Sequence, residues 1–416
     1  MFTSFSRPQW AVGFAVAVTA VLFALPSRAE PAPPYEALIE SLDRIPITVE
    51  AEALLDAANA RAQQARALPN PSVSVETENV YGRGPFSGYD AAESTFSINQ
   101  PLELWGQRGA RISAAQAEAK VAALRRDQTQ WTVAGSLALI YSEAEAASLQ
   151  YELAVEALEL TEADANAVML LIEEGREPSL RGIQANSEVE SARAAVDEAR
   201  ANRDAAFARL TAAAMLVQPV TAIEPSLLNR SPDASFQAVG NPLTVQIAEA
   251  ELEAASKSVS VERLRARPAV SASLGVRRFH EYDTEAFIFG INVSLPLFDR
   301  NKGAISAARA EERAAAARLT TAKLQTQANR SAAQARLDAS ITRIRAADKG
   351  VASAEEAYQL ARAGFDAGRI SQLELRSSRA ALISSRNAAV EARLARVRAE
   401  IDLARLEGRA PFGEAP

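Results

Sequence analysis

The chain of 416 residues contains no cysteine and only one histidine. The absence of cysteine excludes disulfides, thiol catalysis, thiolate metal sites and a lipid-modified N-terminal cysteine. Aromatic residues make up only 6% of the chain, and its 19 prolines all lie outside two windows, residues 102–177 and 297–410. Because a proline inside a helix costs about 3 kcal/mol, these two windows are free to form continuous helix.

Catalytic signatures are missing as well. The sequence has no glycine-rich phosphate loop, no serine in a nucleophile-elbow pattern and no pair of histidines. It therefore predicts neither an enzyme nor a bound cofactor. The single histidine, His280, lies in a predicted polar turn with Glu281 and Asp283. We interpret this group as a solvated loop rather than a metal site, and we expect no dedicated metal site in the chain.

The N-terminus has the features of an export signal. Arg7 precedes a 15-residue apolar run, and small residues end the segment at Ala29. A membrane anchor is the alternative, but a run of 15 is short for a span of about 20 residues. We therefore predict a cleaved signal peptide at residues 1–29. Its removal takes away two arginines and no acid, so the mature chain is more acidic than the −7 of the full sequence, which argues against a nucleic-acid partner.

The chain repeats itself at a fixed offset of 193 residues. Residues 112–118 read ISAAQAE and residues 305–311 read ISAARAE, so six of seven positions are identical. Two further matches hold the same offset: FSIN at 96–99 with FGIN at 289–292, and Gly175-Arg176 with Gly368-Arg369. Three matches in one register over about 80 residues indicate a tandem duplication.

Each repeat contains a segment with strand-like periodicity, at about 71–104 and 269–298, where apolar and polar residues alternate around a turn. Alternation over about ten residues predicts a β-hairpin with one apolar face, and ten residues is also the length of a tilted membrane strand. An ordinary soluble sheet is the alternative. Isolated hairpins are only marginally stable in water, and their apolar faces would be exposed. We therefore favour membrane strands.

A long helical hairpin follows each β-hairpin, over about 109–216 and 303–408. The first helix of each pair is predicted to be roughly 100 Å long and to turn back at the Gly-Arg pair. Small apolar residues recur at three- and four-residue spacing, which favours close, coiled-coil-like packing. The predicted fold is therefore mainly α with β, with long antiparallel helical hairpins in a coiled-coil-like array and β-hairpins contributing to an oligomeric transmembrane barrel.

The layout predicted from these patterns has five parts: a signal peptide at 1–29, a first repeat at 30–216, a linker at 217–242, a second repeat at 243–410 and a C-terminal tail at 411–416.

Prolines divide the segments that precede the β-hairpins. Residues 30–50 contain four prolines after residue 30 and are expected to be irregular. A helix is predicted from about Glu50 to Leu68, and another from about Leu243 to Arg265.

Oligomerisation follows from the number of predicted strands. Four strands do not close a membrane barrel, because the smallest such barrels have eight. An open edge in lipid would leave backbone groups without hydrogen bonds. Two copies would give eight strands and three would give twelve, and the spacing alone does not choose between them.

A family resemblance rests on specific residues. These are LPNP at 68–71, Glu78-Asn79, and QPLELWGQR at 100–108, with Gln107 where lysine is usual. Over nearly all its mature length the chain resembles the TolC-like outer membrane efflux proteins. Within that family it is most similar to the branch that serves heavy-metal resistance pumps of the cobalt-zinc-cadmium type.

The resemblance implies a homotrimer in the outer membrane of a Gram-negative bacterium. It implies a twelve-stranded barrel in outer membrane lipid and a twelve-helix tube that extends into the periplasm. The partners it implies are a periplasmic adaptor (membrane fusion) protein and an inner-membrane pump of the resistance-nodulation-division type. The exported substrate implied by the branch is a heavy-metal cation, which the chain would conduct passively.

Site residues follow from the family's motif at the periplasmic tip, where the adaptor docks. The motif's glycine and later leucine match the second repeat most fully and the first less so. The implied docking residues are Gly175, Arg176, Leu180, Gly368, Arg369 and Leu373. Some family members narrow the pore with an acidic ring beyond the tip. Glu374 lies there in the second repeat, and Arg181 takes that place in the first, so a Glu374–Arg181 pair is the candidate gate.

Two aromatic residues occupy equivalent strand-to-helix junctions, Trp105 in the first repeat and Phe298 in the second. Aromatic side chains favour the boundary between membrane and water, so we expect both at that interface. The rival interpretation of the whole chain is a soluble periplasmic coiled-coil adaptor or scaffold. An adaptor usually has one helical hairpin between small β-domains, whereas this chain has two hairpins and no such domains.

Overall fold

The computed structural model describes residues 31–230 and 241–412. The predicted signal peptide, part of the predicted linker and residues 413–416 of the tail lie outside the described residues. This part of the chain is mainly helical with four strands, as the sequence predicts.

Four strands form one antiparallel sheet in the order β1-β2-β3-β4. They are β1 (Ser72–Glu78), β2 (Glu93–Leu102), β3 (Ala269–Phe279) and β4 (Thr284–Ser294). The two hairpins are joined through β2 and β3, where Phe96 lies opposite Val276. Among the described residues, β1 and β4 therefore have one unpaired edge each.

Two helical hairpins extend from the sheet. The first consists of α3 (Gln107–Glu173) and α4 (Ser179–Ala213), and the second of α6 (Lys302–Asp366) and α7 (Gln372–Glu407). At 1.5 Å per residue, α3 and α6 are each roughly 100 Å long. The shorter helix α5 (Leu243–Arg265) leads into β3 and has the bounds predicted from the sequence.

The helices form two four-helix layers that share α3 and α6. Near the sheet, α2 (Pro46–Gln64) packs on α3, α3 on α5, and α5 on α6. Beyond the linker, α4 packs on α3, α3 on α7, and α7 on α6. Because α4 and α6 are the outer helices of the second layer, each has a side that no other described element covers.

The start of the described chain differs from the expected irregular segment. Residues 35–44 form α1 (Tyr35–Glu40) and a 3₁₀ turn (Leu42–Arg44), and α2 begins at Pro46 and ends at Gln64. Tyr35 and Leu42 are fully buried against α3. Tertiary burial therefore overrides the prolines, and Pro46 at the first position of α2 is where proline fits a helix.

The largest apolar core lies midway along the helices, where the linker crosses between the repeats. There the backbone of Leu227 and Leu228 is held between two buried charges. The Glu145 carboxylate of α3 accepts hydrogen bonds from both amides, at 2.9 and 3.1 Å. The Arg396 guanidinium of α7 donates to both carbonyls, each at 3.1 Å. We call this arrangement the linker clamp.

Within the described ranges, no helix is both long enough and apolar enough to cross a membrane.

Candidate functional site

The sheet has two chemically different faces. One carries rows of apolar side chains across all four strands, for example Val75, Phe96, Val276 and Phe287. Phe287 is 76% exposed. The exposed apolar residues of this face are Val73, Val75, Phe96, Ile98, Leu274, Phe287, Phe289, Ile291 and Val293. An apolar surface of this extent indicates contact with a membrane or with another protein.

The opposite face is lined mainly by small and polar residues. The hydroxyls of Ser74 and Ser97 are 2.8 Å apart across β1 and β2. A Cβ added at Gly275 would lie 2.7 Å from the Phe96 carbonyl oxygen, and one at Gly290 would lie 2.5 Å from the Ser273 hydroxyl. Larger residues at these glycines would clash, so this face stays shallow and polar.

Arg277 joins three strands on the polar face near the hairpin turns. Its guanidinium contacts Glu78 at 3.2 Å and Glu93 at 2.9 Å, and donates to the Thr95 hydroxyl at 2.9 Å. These bonds cross-link β1, β2 and β3, and so fix the register where the two repeats meet.

The two predicted interface aromatics lie at the end of the sheet that continues into the helices. The Trp105 indole N–H donates to the Pro268 carbonyl at 2.7 Å, and the ring is about half exposed. Phe298 is 99% exposed. At the other end of the sheet, His280 lies in the β3–β4 turn with its ring 4.7 Å from that of Tyr89. In the described part of the chain, no group of three or more His, Asp and Glu side chains has an arrangement that would hold a metal ion.

The turn glycines have the same geometry in both repeats. Gly175 has φ 75° and Gly368 has φ 66°, and each follows the last residues of its long helix. The amide of Arg176 donates to Leu171 O, and that of Arg369 donates to Gly364 O. This is the Schellman arrangement, which glycine adopts without strain. Each tip thus ends its helix in the same way.

The next predicted docking residues are exposed near these turns. Leu180 is 60% exposed and Leu373 is 65% exposed. Leucine side chains held in solvent beside a rigid turn are available to a partner. Arg176 contacts Glu174 at 3.3 Å, and both side chains are exposed, so this ion pair contributes little to stability.

The helices that return from the two tips begin differently. In α7, Ser371 and Glu374 form a capping box, in which each side chain accepts a hydrogen bond from the other's backbone amide. The equivalent positions in α4 are Pro178 and Arg181, and no side chain caps that helix. Arg181 instead lies 4.0 Å from Glu177. Across the described ranges no Arg181–Glu374 ion pair forms, so contact through a neighbouring copy stays a prediction.

A group that the sequence analysis missed joins the two hairpins above the tips. Arg379 of α7, with its side chain only 10% exposed, contacts Asp164 of α3 and Glu188 of α4. Burial raises the pKa of the Asp164 carboxyl, and the neighbouring guanidinium opposes that rise. Arg376 also contacts Glu188, at 2.6 Å.

The same pattern continues along α7. Arg386, seven residues after Arg379, contacts Glu156 of α3 and Glu355 of α6, each at 2.5 Å. Arg393, seven residues further, contacts Asp348 of α6 at 2.8 Å. The seven-residue spacing of the arginines is the sequence signal that would have revealed this row.

Comparisons with known proteins agree on one family. The model of the family described as "Outer membrane efflux protein" matches residues 39–214 and 236–409. The nickel-cobalt-cadmium resistance protein NccC of Alcaligenes xylosoxydans xylosoxydans is 37% identical over 309 residues, which are 74% of this chain and 70% of NccC. The nickel and cobalt resistance protein CnrC of Cupriavidus metallidurans is 38% identical over 331 residues, 79% of this chain and 78% of CnrC. Among solved structures, the outer membrane protein VceC of Vibrio cholerae has a TM-score of 0.75 at 20% identity, covering 91% of this chain and 97% of VceC.

Proposed function

Because the chain belongs to the outer membrane efflux protein family, we propose that it is the homotrimeric outer membrane channel of a tripartite efflux system. The two family matches, at residues 39–214 and 236–409, correspond to the two repeats read from the sequence. The family consists of channel proteins, and we accordingly assign the chain a passive conducting role without catalysis. The adaptor or scaffold interpretation loses its support for the same reason.

The observation that carries the proposal is the sheet, which continues directly into the long helices. Its apolar face is suited to lipid, and its small, polar face is suited to a water-filled lumen. The unpaired edges of β1 and β4 would pair between copies, so three chains would close a barrel of twelve strands. On this proposal α3, α4, α6 and α7 of the three copies form a coiled-coil tube in the periplasm.

The remaining parts of the chain have places in this arrangement. Residues 1–29 would direct export and be cleaved, and the absence of cysteine from the chain leaves no site for a lipid anchor. Trp105 and Phe298 would lie at the boundary between the membrane and the periplasm. The channel would then be held in the outer membrane by its folded structure.

The proposed partners are a periplasmic adaptor protein and an inner-membrane pump of the resistance-nodulation-division type. The adaptor would dock on the two tips, at Gly175, Arg176 and Leu180 in the first repeat and at Gly368, Arg369 and Leu373 in the second. The matching Schellman turns and exposed leucines support equivalent docking modes on both tips. Glu374 and Arg181 of adjacent hairpins would narrow the pore just beyond the tips.

Heavy-metal cations are the proposed substrates. The names of NccC and CnrC refer to resistance to nickel and cobalt, and that of NccC also to cadmium. With a single histidine and no cysteine, the chain has few of the ligands that such metals prefer. Substrate selection would therefore belong to the pump, and this channel would conduct what it receives.

The first test is bilayer conductance of the detergent-purified mature protein, with its oligomeric mass determined on the same sample. The proposal expects a trimer and discrete channel steps. A soluble monomer without conductance would overturn it, because the sheet would then not be a membrane structure.

A second test addresses the substrate. Deletion of the gene should lower resistance of the native host to nickel, cobalt or cadmium, and plasmid-borne wild type should restore it. Resistance to an unrelated organic antibiotic serves as the control. If deletion changes antibiotic resistance and leaves metal resistance intact, the proposed channel role is retained and the proposed metal substrate is wrong.

A further inference from the structure

Basic residues gather at the end of the sheet where the strands meet the helices. Four short segments form these junctions: residues 65–71, 103–111, 262–268 and 295–302. Together they contain eight arginines and lysines and only three acidic residues. Each of the four junctions contributes at least one basic residue, so positive charge spans the full width of the sheet.

The opposite end of the sheet has the reverse charge. The two segments that contain the hairpin turns, residues 76–93 and 277–285, contain seven acidic residues and three arginines. The end of the sheet near the helices is therefore net positive, and the end near the hairpin turns is net negative. The apolar face of the sheet lies between these two ends.

Most of the junction charge is not neutralised within the chain. Glu103 pairs with Arg111, and Glu262 pairs with Arg265 at 2.7 Å. The third acid, Asp299, accepts a hydrogen bond from the Asn301 amide. Six exposed basic residues have no carboxylate partner within residues 31–230 and 241–412; they are Arg66, Arg108, Arg263, Arg267, Arg300 and Lys302.

These charges lie beside the exposed interface residues. Arg267 precedes Pro268, whose carbonyl accepts the Trp105 indole N–H. Arg300 lies two residues after Phe298. A band that combines amphipathic aromatic rings with exposed cations, at the edge of an apolar surface, matches the headgroup level of a membrane.

We propose that the six exposed basic residues form a binding surface for anionic phospholipid headgroups of the periplasmic leaflet. The inference rests on the proposed function, which places the sheet in the outer membrane and the helices in the periplasm. Lipid phosphates attract basic side chains that lie close to the surface, and the attraction falls off within a Debye length. The band would fix the depth of the barrel, because moving the channel either way separates the arginines from the phosphates.

The test measures lipid binding to the detergent-purified full-length mature protein by native mass spectrometry. Phosphatidylglycerol and phosphatidylcholine with the same acyl chains are titrated in parallel. The wild type should retain more phosphatidylglycerol, and the preference should shrink as salt is raised. The variant Arg263→Gln/Arg267→Gln/Arg300→Gln should lose most of this preference, at roughly fivefold in affinity for each residue removed.

A matched control makes the same charge change away from the junctions. Arg336, Arg343 and Lys349 are exposed on α6 without an ion pair in the described part of the chain, and Arg336→Gln/Arg343→Gln/Lys349→Gln should keep the lipid preference. An equal loss in both variants would overturn the proposal, since net charge alone would then explain binding. An unchanged preference for phosphatidylglycerol in Arg263→Gln/Arg267→Gln/Arg300→Gln would also overturn it.

Conductance of the same samples separates this inference from the proposed function. A trimer that conducts but shows no preference for phosphatidylglycerol would overturn the lipid surface alone. A sample without channels would overturn the proposed function itself.

Discussion

The two helical hairpins share their length, their turn geometry and a sequence offset, yet they carry opposite charge. Residues 107–213 contain 17 acidic and 11 basic residues, whereas residues 302–407 contain 12 acidic and 19 basic residues. The difference is sharpest in α3, where the stretch from Asp127 to Glu174 has ten acids and no lysine or arginine. Duplication produced two hairpins of similar shape, and the net charges of their surfaces then came to differ in sign.

Contacts between α3 and α7 explain why that divergence is useful. Arg379, Arg386 and Arg398 of α7 each contact an acid of α3. Within the second hairpin, α6 and α7 pack through apolar residues such as Leu337 and Leu403, and ion pairs such as Arg393–Asp348 also link them. The ion pairs between α3 and α7 thus form a charged joint between the hairpins, beside the apolar core that the two helices share.

The largest expected effect comes from breaking that joint at its most buried point. Arg379→Met removes the partner of Asp164 and should lower the free energy of unfolding by about 3–5 kcal/mol, because it leaves a buried carboxylate unpaired. Denaturant unfolding in detergent measures this loss.

Arg343→Met provides the comparison, since Arg343 is exposed and makes no ion pair in the described ranges. It should change stability by less than about 0.5 kcal/mol. Adding Asp164→Asn to Arg379→Met should recover part of the loss. If Arg379→Met and Arg343→Met behave alike, the charged joint does not stabilise the chain.

The turn glycines test where the two repeats are equivalent. Gly175→Ala and Gly368→Ala each force a side chain into a left-handed conformation and should each cost about 1–2 kcal/mol. Gly350→Ala in the interior of α6 should instead gain about 1 kcal/mol, because an added Cβ there meets nothing within 4 Å. Thermal unfolding of the three variants gives the sign of each change in stability. Unequal losses of stability at the two tips would show that the turns are not equivalent.

Helix capping tests where the repeats differ. Ser371→Ala should lower stability by about 1 kcal/mol, because it removes the cap of α7. Ser179→Ala should have almost no effect, since no side chain caps α4. The double variant Pro178→Ser/Arg181→Glu gives the first tip the residues of the second and should stabilise it by about 0.5–1 kcal/mol. Hydrogen exchange at the first turn of each helix reports these changes, and equal effects of both alanine variants would rule out the asymmetry.

The smallest effect is expected at the candidate gate. Arg181→Glu makes both tips acidic and should raise ion leakage through the closed channel in bilayers. An exposed ion pair is worth at most about 1 kcal/mol, so the rise should not exceed about fivefold. Arg336→Glu makes the same charge change on α6 and should leave leakage as it is. Unchanged conductance in Arg181→Glu would show that Glu374 and Arg181 do not form a gate.

Elements that repeat, or that depend on local sequence, were predictable. The 193-residue offset located both hairpins, and the glycines at 175 and 368 located both turns. Helix α1 was not predictable, because its six residues lie among prolines and form only where Tyr35 is buried against α3. Arg379 was also missed, since its partners Asp164 and Glu188 are about 200 residues away in sequence and only the fold brings them together.

The linker clamp has a consequence for the symmetry of the molecule. The positions related to Glu145 and Arg396 by 193 residues are Asp338 and Arg203, and these make other contacts: Asp338 accepts a bond from Gln334, and Arg203 pairs with Asp204. In the part of the chain that the structure describes, the clamp therefore occurs once, although the hairpins come in pairs. In the proposed trimer the hairpins would meet at two kinds of boundary, and the clamp would fix every second boundary within a single chain.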